Sequence, residues 1–355
     1  MSSFSIGRRQ VGRGRPCFIT FEAGPTHSGV EAAIALTRLA AEAGADAIKF
    51  QILDPDRLCA DRKMPFSYDV LVDRASGRRE TITEPLWELL RRRWLSEADW
   101  QKVKAAADEC GIAFFATAGF PEEIDFLAEL GCHSIKIASG DVNHLPLIRR
   151  AARTGMSIQL DTGNSTLGEI ERAVDVCRAE GNEKIIIHQC PSGYPARIES
   201  INLNIIRTLI QMFPFPIAYS DHTPGWDMDV AALALGANLL EKTITFDRTT
   251  RSVEHIFSLE PAEMRAFVCI VRDVERAMGQ PRRVLHAEEI KRRIAIRRST
   301  WLPKGGRAGD RLGDLDVEFR RPGDGIPPDV YETLADRRLA QDHPSNHKLA
   351  LTDLS

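Results

Sequence analysis

The sequence predicts a TIM-type (β/α)8 barrel followed by a small C-terminal domain, and three observations carry that reading. Short apolar runs of strand character begin near residues 17, 45, 112, 134, 157, 184, 216 and 238, and longer segments of helical periodicity separate them. Eight such units over roughly 260 residues match the size and period of a barrel. The turn after the first run, Gly24-Pro-Thr-His-Ser-Gly29, lacks the glycine fingerprint that a doubly wound sheet carries at that place.

Taken in order, residues 17–22 form the first strand, and the alanine-rich stretch 31–43 is a helix stopped by Gly44. Residues 45–51 are the second strand. One irregular insertion follows, residues 52–96, with Pro55, Pro65 and Pro85, the charged groups Asp73-Arg74 and Arg78-Arg79-Glu80, and a short helix over 86–94. From Ser96-Glu97, a helix start, the alternation stays regular: helices over 97–110, 121–130, 145–153, 167–180, 202–212, 227–235 and 262–278 alternate with the remaining strands. Trp87, Trp94 and Trp100 stand at near-helical spacing and are expected to pack on the outside of the barrel. The domains are therefore a barrel over residues 1–279, a basic, helix-like linker over 280–298, and a small Gly- and Pro-rich domain over 299–355.

Composition narrows the function classes. With 43% hydrophobic and 27% charged residues the chain reads as globular, and a net charge of -3 gives no reason to expect a nucleic-acid partner. The arginine runs 91–93 and 292–298 are read as solvated helix faces. No apolar run is long enough to cross a bilayer, and residues 1–16 lack the apolar core of a secretory signal, so a cytoplasmic location is expected. Seven scattered cysteines without a C-x-x-C pair fit a reducing compartment and argue against a disulfide scaffold or a structural zinc site.

In a barrel the chemistry lies at the C-terminal ends of the strands. Those ends offer Glu22; Lys49 and Gln51; Thr117; Lys136 and Ser139; Asp161 and Thr162; Gln189 and Cys190 with Ser192 beyond; Asp221 and His222; and Glu241, Lys242 and Thr243. Lys49 and Lys136 are each embedded in an apolar strand, where an ammonium is costly without an anion. Either they bridge to Glu22, Asp161 or Glu241, or they serve a pocket for a phosphorylated or carboxylated substrate. His222, flanked by carboxylates, is a candidate ligand for a divalent metal; the plainer alternative is a histidine that caps its strand. Lysines facing a metal ligand suggest chemistry on a carbonyl polarised by the metal.

Several stretches together resemble the sialic acid (N-acetylneuraminate) synthase family. They are Glu22-Ala-Gly with His27-Ser-Gly29, Ala43-Gly-Ala-Asp-Ala-Ile-Lys-Phe-Gln51, Lys136-Ile-Ala-Ser-Gly140, Asp161-Thr-Gly163, Cys190-Pro-Ser-Gly-Tyr-Pro195, Ser220-Asp-His-Thr223 and Leu235-Gly-Ala-Asn-Leu-Leu-Glu-Lys242. Arg297-Arg-Ser299 and Arg320-Arg-Pro-Gly-Asp-Gly325 look like that family's C-terminal antifreeze-like (SAF) domain. The resemblance implies a phosphoenolpyruvate-dependent synthase that joins C3 of phosphoenolpyruvate to the aldehyde of an N-acyl hexosamine, giving a nonulosonic acid and phosphate. It implies a catalytic set of Glu22, Lys49, Lys136, His222 and Glu241. Lys49, Thr117, Lys136 and Ser139 would hold phosphoenolpyruvate, while Gln51, Tyr194 and Glu241 would line the sugar site. Asp161, Thr162, Ser192 and Asp221 are further substrate-binding candidates. A domain-swapped homodimer is implied, in which Arg321 of the small domain reaches the sugar's acyl group, together with a divalent metal, Mn, Mg or Co.

This chain departs from the family pattern at the metal site. The usual second metal histidine is replaced by Thr243, a usual serine before Thr162 is Asp161, and the usual histidine before Cys190 is Gln189, with His188 one place earlier. His222 is expected to bind metal still, with His255 or a carboxylate completing the site. Two rival readings remain: a related synthase acting on another aldehyde, such as a sugar phosphate, and a catalytically silent binding homologue.

Overall fold

Eight parallel strands close into a barrel in the computed structural model, which describes residues 3–355. They are β1 (Phe18–Glu22), β2 (Ala47–Gln51), β3 (Ala113–Thr117), β4 (Ser134–Ile137), β5 (Ser157–Asp161), β6 (Ile185–Gln189), β7 (Ile217–Asp221) and β8 (Leu239–Thr243). Each pairs with its neighbours in sequence, and β8 returns to β1 through Thr243 opposite Glu22. Outside run α1 (Val30–Ala43), α2 (Glu97–Cys110), α3 (Pro121–Glu129), α4 (Leu145–Arg153), α5 (Leu167–Ala179), α6 (Ile205–Met212), α7 (Asp227–Leu235) and α8 (Pro261–Met278). Ends follow local chemistry: the Ser96 hydroxyl accepts the Asp99 amide to start α2, and Gly44 stops α1 at φ 96°, a left-handed conformation costly for any residue with a Cβ. The apolar faces of the helices bury against the strands in one continuous core that includes Leu36, Phe50, Val103, Ile135, Ile187 and Phe267.

Register places the chemistry. Side chains alternate along each strand, so the pairs Glu22 with Lys49, Thr117 with Lys136 and Ser220 with Glu241 put polar groups of neighbouring strands at one level. The opposite end of the barrel is closed by an element the sequence did not reveal. Residues 4–11 form a hairpin, Phe4–Ile6 against Arg9–Val11, whose Ile6 and Val11 are fully buried with Phe18, Ala47, Phe115, Ile186, Ala218 and Leu239.

The insertion is also more ordered than its prolines suggested. A hairpin, Pro65–Asp73 against Arg78–Pro85, is followed by the helix Leu86–Arg91, and Tyr68, Val70, Leu89 and Leu90 bury against Cys59 and Val253. The tryptophan expectation holds for Trp100, which packs from the outer helix α2 onto the barrel strands, and not for the other two: the helix ends before Trp94, so the three rings share no face. Trp100 is buried among His27, Phe50 and Phe114, Trp87 donates to Asp56 (2.8 Å), and Trp94 stays exposed beneath the Arg91 guanidinium.

Gln280–Ser355 form a second compact unit. It holds α9 (Ala287–Ile296) and a three-stranded antiparallel sheet of β9 (Ser299–Leu302), β10 (Glu318–Arg320) and β11 (His347–Lys348), with β9 central. Its own core is Leu302, Leu312, Ile326, Leu339, Leu349 and Leu354. Among the described residues no helix is long and apolar enough to cross a membrane.

Candidate active site

A cavity of about 310 Å³ opens at the C-terminal ends of the barrel strands, and residues at or just beyond the ends of all eight line it. At its floor Glu241, 4% exposed, is the centre of an alternating chain of charges. Its Oε1 accepts from Lys49 Nζ at 3.0 Å and from Ser220 Oγ at 3.1 Å, and its Oε2 accepts from Lys136 Nζ at 2.7 Å. Lys49 pairs in addition with Glu22, and Lys136 lies 3.0 Å from Asp161 Oδ1, an ion-pair distance without hydrogen-bond alignment. Of the two sequence readings of the lysines, bridging to Glu22, Asp161 and Glu241 is therefore present in the molecule.

Burial dominates the electrostatics. It would raise the Glu241 carboxyl, but the Lys136 and Lys49 ammoniums outweigh it and hold this group well below the ordinary carboxylate range. Glu22 and Asp161 come out the other way: burial raises both, and Lys49 and Lys136 respectively offset it only in part. Burial opposes the charge on Lys49, yet Glu22, Glu241 and Asp161 leave its ammonium well above the usual range. His188, fully buried, is held neutral by burial and by Lys136. Its Nδ1 lies 3.3 Å from Lys136 Nζ and its Nε2 2.8 Å from Gln159 Oε1, which fixes the tautomer with the proton on Nε2. Gln189, by contrast, donates to the Ile201 carbonyl at 2.7 Å.

The Glu22-Ala-Gly motif has a steric cause. Glu22 Oε1 accepts the Gly24 amide at 2.6 Å, and a Cβ at Gly24 would stand 2.8 Å from the Gln51 amide nitrogen and collide with the Glu22 carboxylate. Gly24 lets the chain cross close over the two residues it orients.

His222 lines the cavity with its Nδ1 3.1 Å from the Pro191 carbonyl, so the proton sits there and Nε2 keeps the lone pair. Burial lowers its pKa to about 4, so the ring is neutral at pH 7. Tyr194 packs against it, ring centroids 4.7 Å apart. Gln51, Thr117, Ser139 and Thr243 also line the cavity.

Other expected site residues stand elsewhere. The Thr162 hydroxyl donates to the His188 carbonyl (2.7 Å), and Ser192 is exposed, bonded to Asn164. Asp221 reaches the cavity wall, but its carboxylate is taken by Lys242, Tyr219 and Thr223, an arrangement that anchors the turn carrying His222. His255 does not share the cavity of His222; it bonds Thr245 Oγ1 at 2.7 Å and lines a neighbouring pocket with His27 and Arg92. Arg321 lies exposed in the second unit.

Two charged groups of the cavity wall escaped the sequence. Arg93 was read as part of a solvated arginine run, yet it is 6% exposed and lines the cavity, while Arg92 pairs with Glu84 at the surface. Glu254 also lines the cavity, at φ 70°, and burial together with the Glu22 charge raises its pKa to about 8, Arg93 opposing. Its place beside His255 in a charged loop was the only available signal.

Metal-binding capacity follows from these donors. Among the described residues no group of three His, Cys, Asp or Glu donors gathers at the barrel mouth. His222 offers one neutral nitrogen and Glu254 a carboxylate free of side-chain hydrogen bonds, whereas Glu22 and Glu241 are engaged by lysines. A cation held by His222 and Glu254 would displace the proton that burial favours on Glu254 and would take its remaining ligands from substrate and water.

Eight strand ends that bring lysines, carboxylates and a neutral imidazole into one mouth define a (β/α)8-barrel protein with an ionic small-molecule site. The NeuB family model matches residues 36–283. The chain belongs to the NeuB family, the sialic acid synthase family. It is 33% identical to an uncharacterised protein of Methanocaldococcus jannaschii over 355 residues, covering 100% of this chain and 99% of that one. It is 31% identical to the N,N'-diacetyllegionaminic acid synthase of Legionella pneumophila, covering 94% of this chain and 93% of the relative. In fold it is similar to the crystal structure of an N-acetylneuraminic acid synthetase from Leptospira borgpetersenii in complex with citrate, with a TM-score of 0.71 and 28% identity over 82% of this chain and 95% of the other.

Proposed function

We propose that this chain is a phosphoenolpyruvate-dependent synthase that condenses phosphoenolpyruvate with an N-acyl hexosamine to give a nonulosonic acid and phosphate. The observation that carries the proposal is the buried Lys49–Glu241–Lys136 bridge beneath a cavity of small-molecule size. Apolar packing would stabilise the barrel as well or better, so a bridge this deeply buried points to use of its cations. Family membership and the legionaminic acid and sialic acid synthases among its relatives support the substrate class.

In this reading Lys49 and Lys136, with Thr117 and Ser139, hold the carboxylate and phosphate of phosphoenolpyruvate. Arrival of that anion beside Glu22, whose carboxyl burial has already raised, favours proton uptake there and frees Lys49 for the ligand. The C3 carbon attacks the sugar aldehyde, water adds at C2, and phosphate leaves from C2; Glu22 is placed to move a proton in that sequence. Gln51, Tyr194, Arg93 and Glu254 face the sugar, and Arg321 is proposed to reach the acyl group from a partner subunit in a domain-swapped homodimer. His222 and Glu254 would hold a divalent metal, Mn, Mg or Co, whose contribution is to polarise the aldehyde. A cytoplasmic location is consistent with such a role.

A sugar-phosphate substrate would need a second cationic patch. Arg93 is the one further cation on the cavity wall among the described residues, and its field is partly spent on Glu254. Phosphate release measured with phosphoenolpyruvate, Mn²⁺ and a panel of N-acyl hexosamines tests the proposal. Release is expected with at least one of them, and none under any combination would leave the chain a binding homologue.

A further inference from the structure

The second unit contains a cluster of donors that the proposed reaction does not use. His343, His347 and Asp353 each offer a ligand atom, and those atoms all lie within 4.8 Å of one another. Asp353 is the shared partner: His347 Nε2 is 3.0 Å from its Oδ2, and His343 Nε2 is 3.9 Å from its Oδ1. The two imidazoles are stacked, centroids 4.1 Å apart and planes 22° from parallel. Each comes from a different constraint of the fold. His343 is fixed by a backbone bridge to Gly306, His347 lies in β11 opposite Leu302, and Asp353 ends the last helical turn, where it also accepts the Ala350 amide at 2.8 Å.

Hydrogen bonding alone accounts for His347 and for the cap made by Asp353. It leaves His343 unexplained. This residue is 7% exposed, and its Nε2 is buried without a hydrogen-bond partner, because 3.9 Å is beyond hydrogen-bond reach. A buried ring nitrogen aimed at a carboxylate it does not touch costs free energy unless something stands between them.

We infer that His343, His347 and Asp353 form a binding site for a divalent transition-metal ion of the zinc class. An ion with bonds of about 2.0–2.1 Å holds its donors a little over 3 Å apart, against 3.0 and 3.9 Å from the two rings to Asp353, so binding draws the His343 ring in and tilts the stacked rings until both nitrogens face the ion. Two imidazoles and one carboxylate suit Zn²⁺ or Co²⁺ rather than Mg²⁺ or Ca²⁺, and a fourth position is left for water. The ion ties the C-terminal turn to β11 and to the Gly306 loop, so its effect is on the stability of this unit. It is independent of the barrel-mouth cation.

The test uses the full-length protein, ZnCl2 or CoCl2 alone, and equilibrium dialysis with elemental analysis. Wild type and His222→Ala should both retain one zinc that His343→Gln and His347→Gln each bind at least tenfold more weakly. Co²⁺ on His222→Ala should give the intense visible bands of a low-coordinate N/O site, and Zn²⁺ should raise the Tm of His222→Ala but not that of the His222→Ala, His343→Gln double variant. Should a His343 or His347 variant fail to fold, the Co²⁺ spectrum of His222→Ala, which lacks the barrel-mouth nitrogen ligand, decides alone. No such bands, or equal zinc content in wild type and the His343→Gln, His347→Gln double variant, overturns the inference.

Discussion

Glu241 is the carboxylate on which both buried lysines depend, and Lys136 has no exposure through which water could replace it. Replacing Lys136 by Met leaves Glu241 and Asp161 without their shared cation. Breaking a buried pair in this way costs about 3–5 kcal/mol, so urea unfolding of Lys136→Met should show a loss of that order, and a loss below about 1 kcal/mol would show the bridge to be dispensable. Glu254 gives a pH prediction. Its folded pKa, about 8, lies above the ordinary carboxylate value of 4.5, so the fold favours the protonated form. Its contribution to stability is complete below pH 4.5 and is lost as pH rises towards 8. Glu254→Gln, which cannot ionise, should therefore gain on wild type across that window by no more than about 1.4 kcal/mol per pH unit. A pH-independent difference in metal-free buffer would contradict the assignment. His27, His222 and His255 act oppositely: burial lowers each to about 4, so the neutral fold loses stability as pH falls from 6.5 towards 4.

At the scale of elements, the N-terminal hairpin and the insertion close the two ends of the barrel differently. Ile6 and Val11 plug the end away from the site, so Ile6→Ala should cost about 2–5 kcal/mol of stability while leaving KM for phosphoenolpyruvate unchanged. A large KM change instead would mean that the plug positions the strand ends. The βα alternation was legible because eight buried parallel strands read as apolar runs and the helices carry clean stop signals such as Gly44, Gly111 and Gly236. Neither hairpin was legible. Residues 78–85 are mostly exposed and charged, and the pairing of 65–73 with them is set by tertiary contact with Leu89, Leu90 and Val253. Arg93 was missed for the same reason: three consecutive arginines look alike in sequence, but the end of the helix Leu86–Arg91 turns only the third inward. Polar strand ends foretold the lysine–carboxylate chain well, because in a barrel the last inward position of every strand converges on one mouth. Thr162 and Ser192 share the address without the orientation, and no periodicity distinguishes them from Thr117 and Ser139.

For the whole molecule, the proposed homodimer has a visible requirement. Ile290 and Ile294, one helical turn apart on α9, are 52% and 51% exposed, an apolar stripe that a partner would cover. Light scattering at micromolar concentration should give twice the monomer mass of 39.6 kDa, and Ile290→Asp with Ile294→Asp should shift it to the monomer. A wild-type monomer would remove Arg321 from any role in the site. The central claim concerns the reaction itself, and H₂¹⁸O tests it most directly. If water adds at C2 of phosphoenolpyruvate and the C2–O bond breaks, the phosphate released in H₂¹⁸O carries no ¹⁸O and forms only when an N-acyl hexosamine is present. Phosphate bearing one ¹⁸O, or released without the sugar, would mark simple phosphoester hydrolysis and contradict the assignment of Lys49, Glu241 and Lys136 to a synthase.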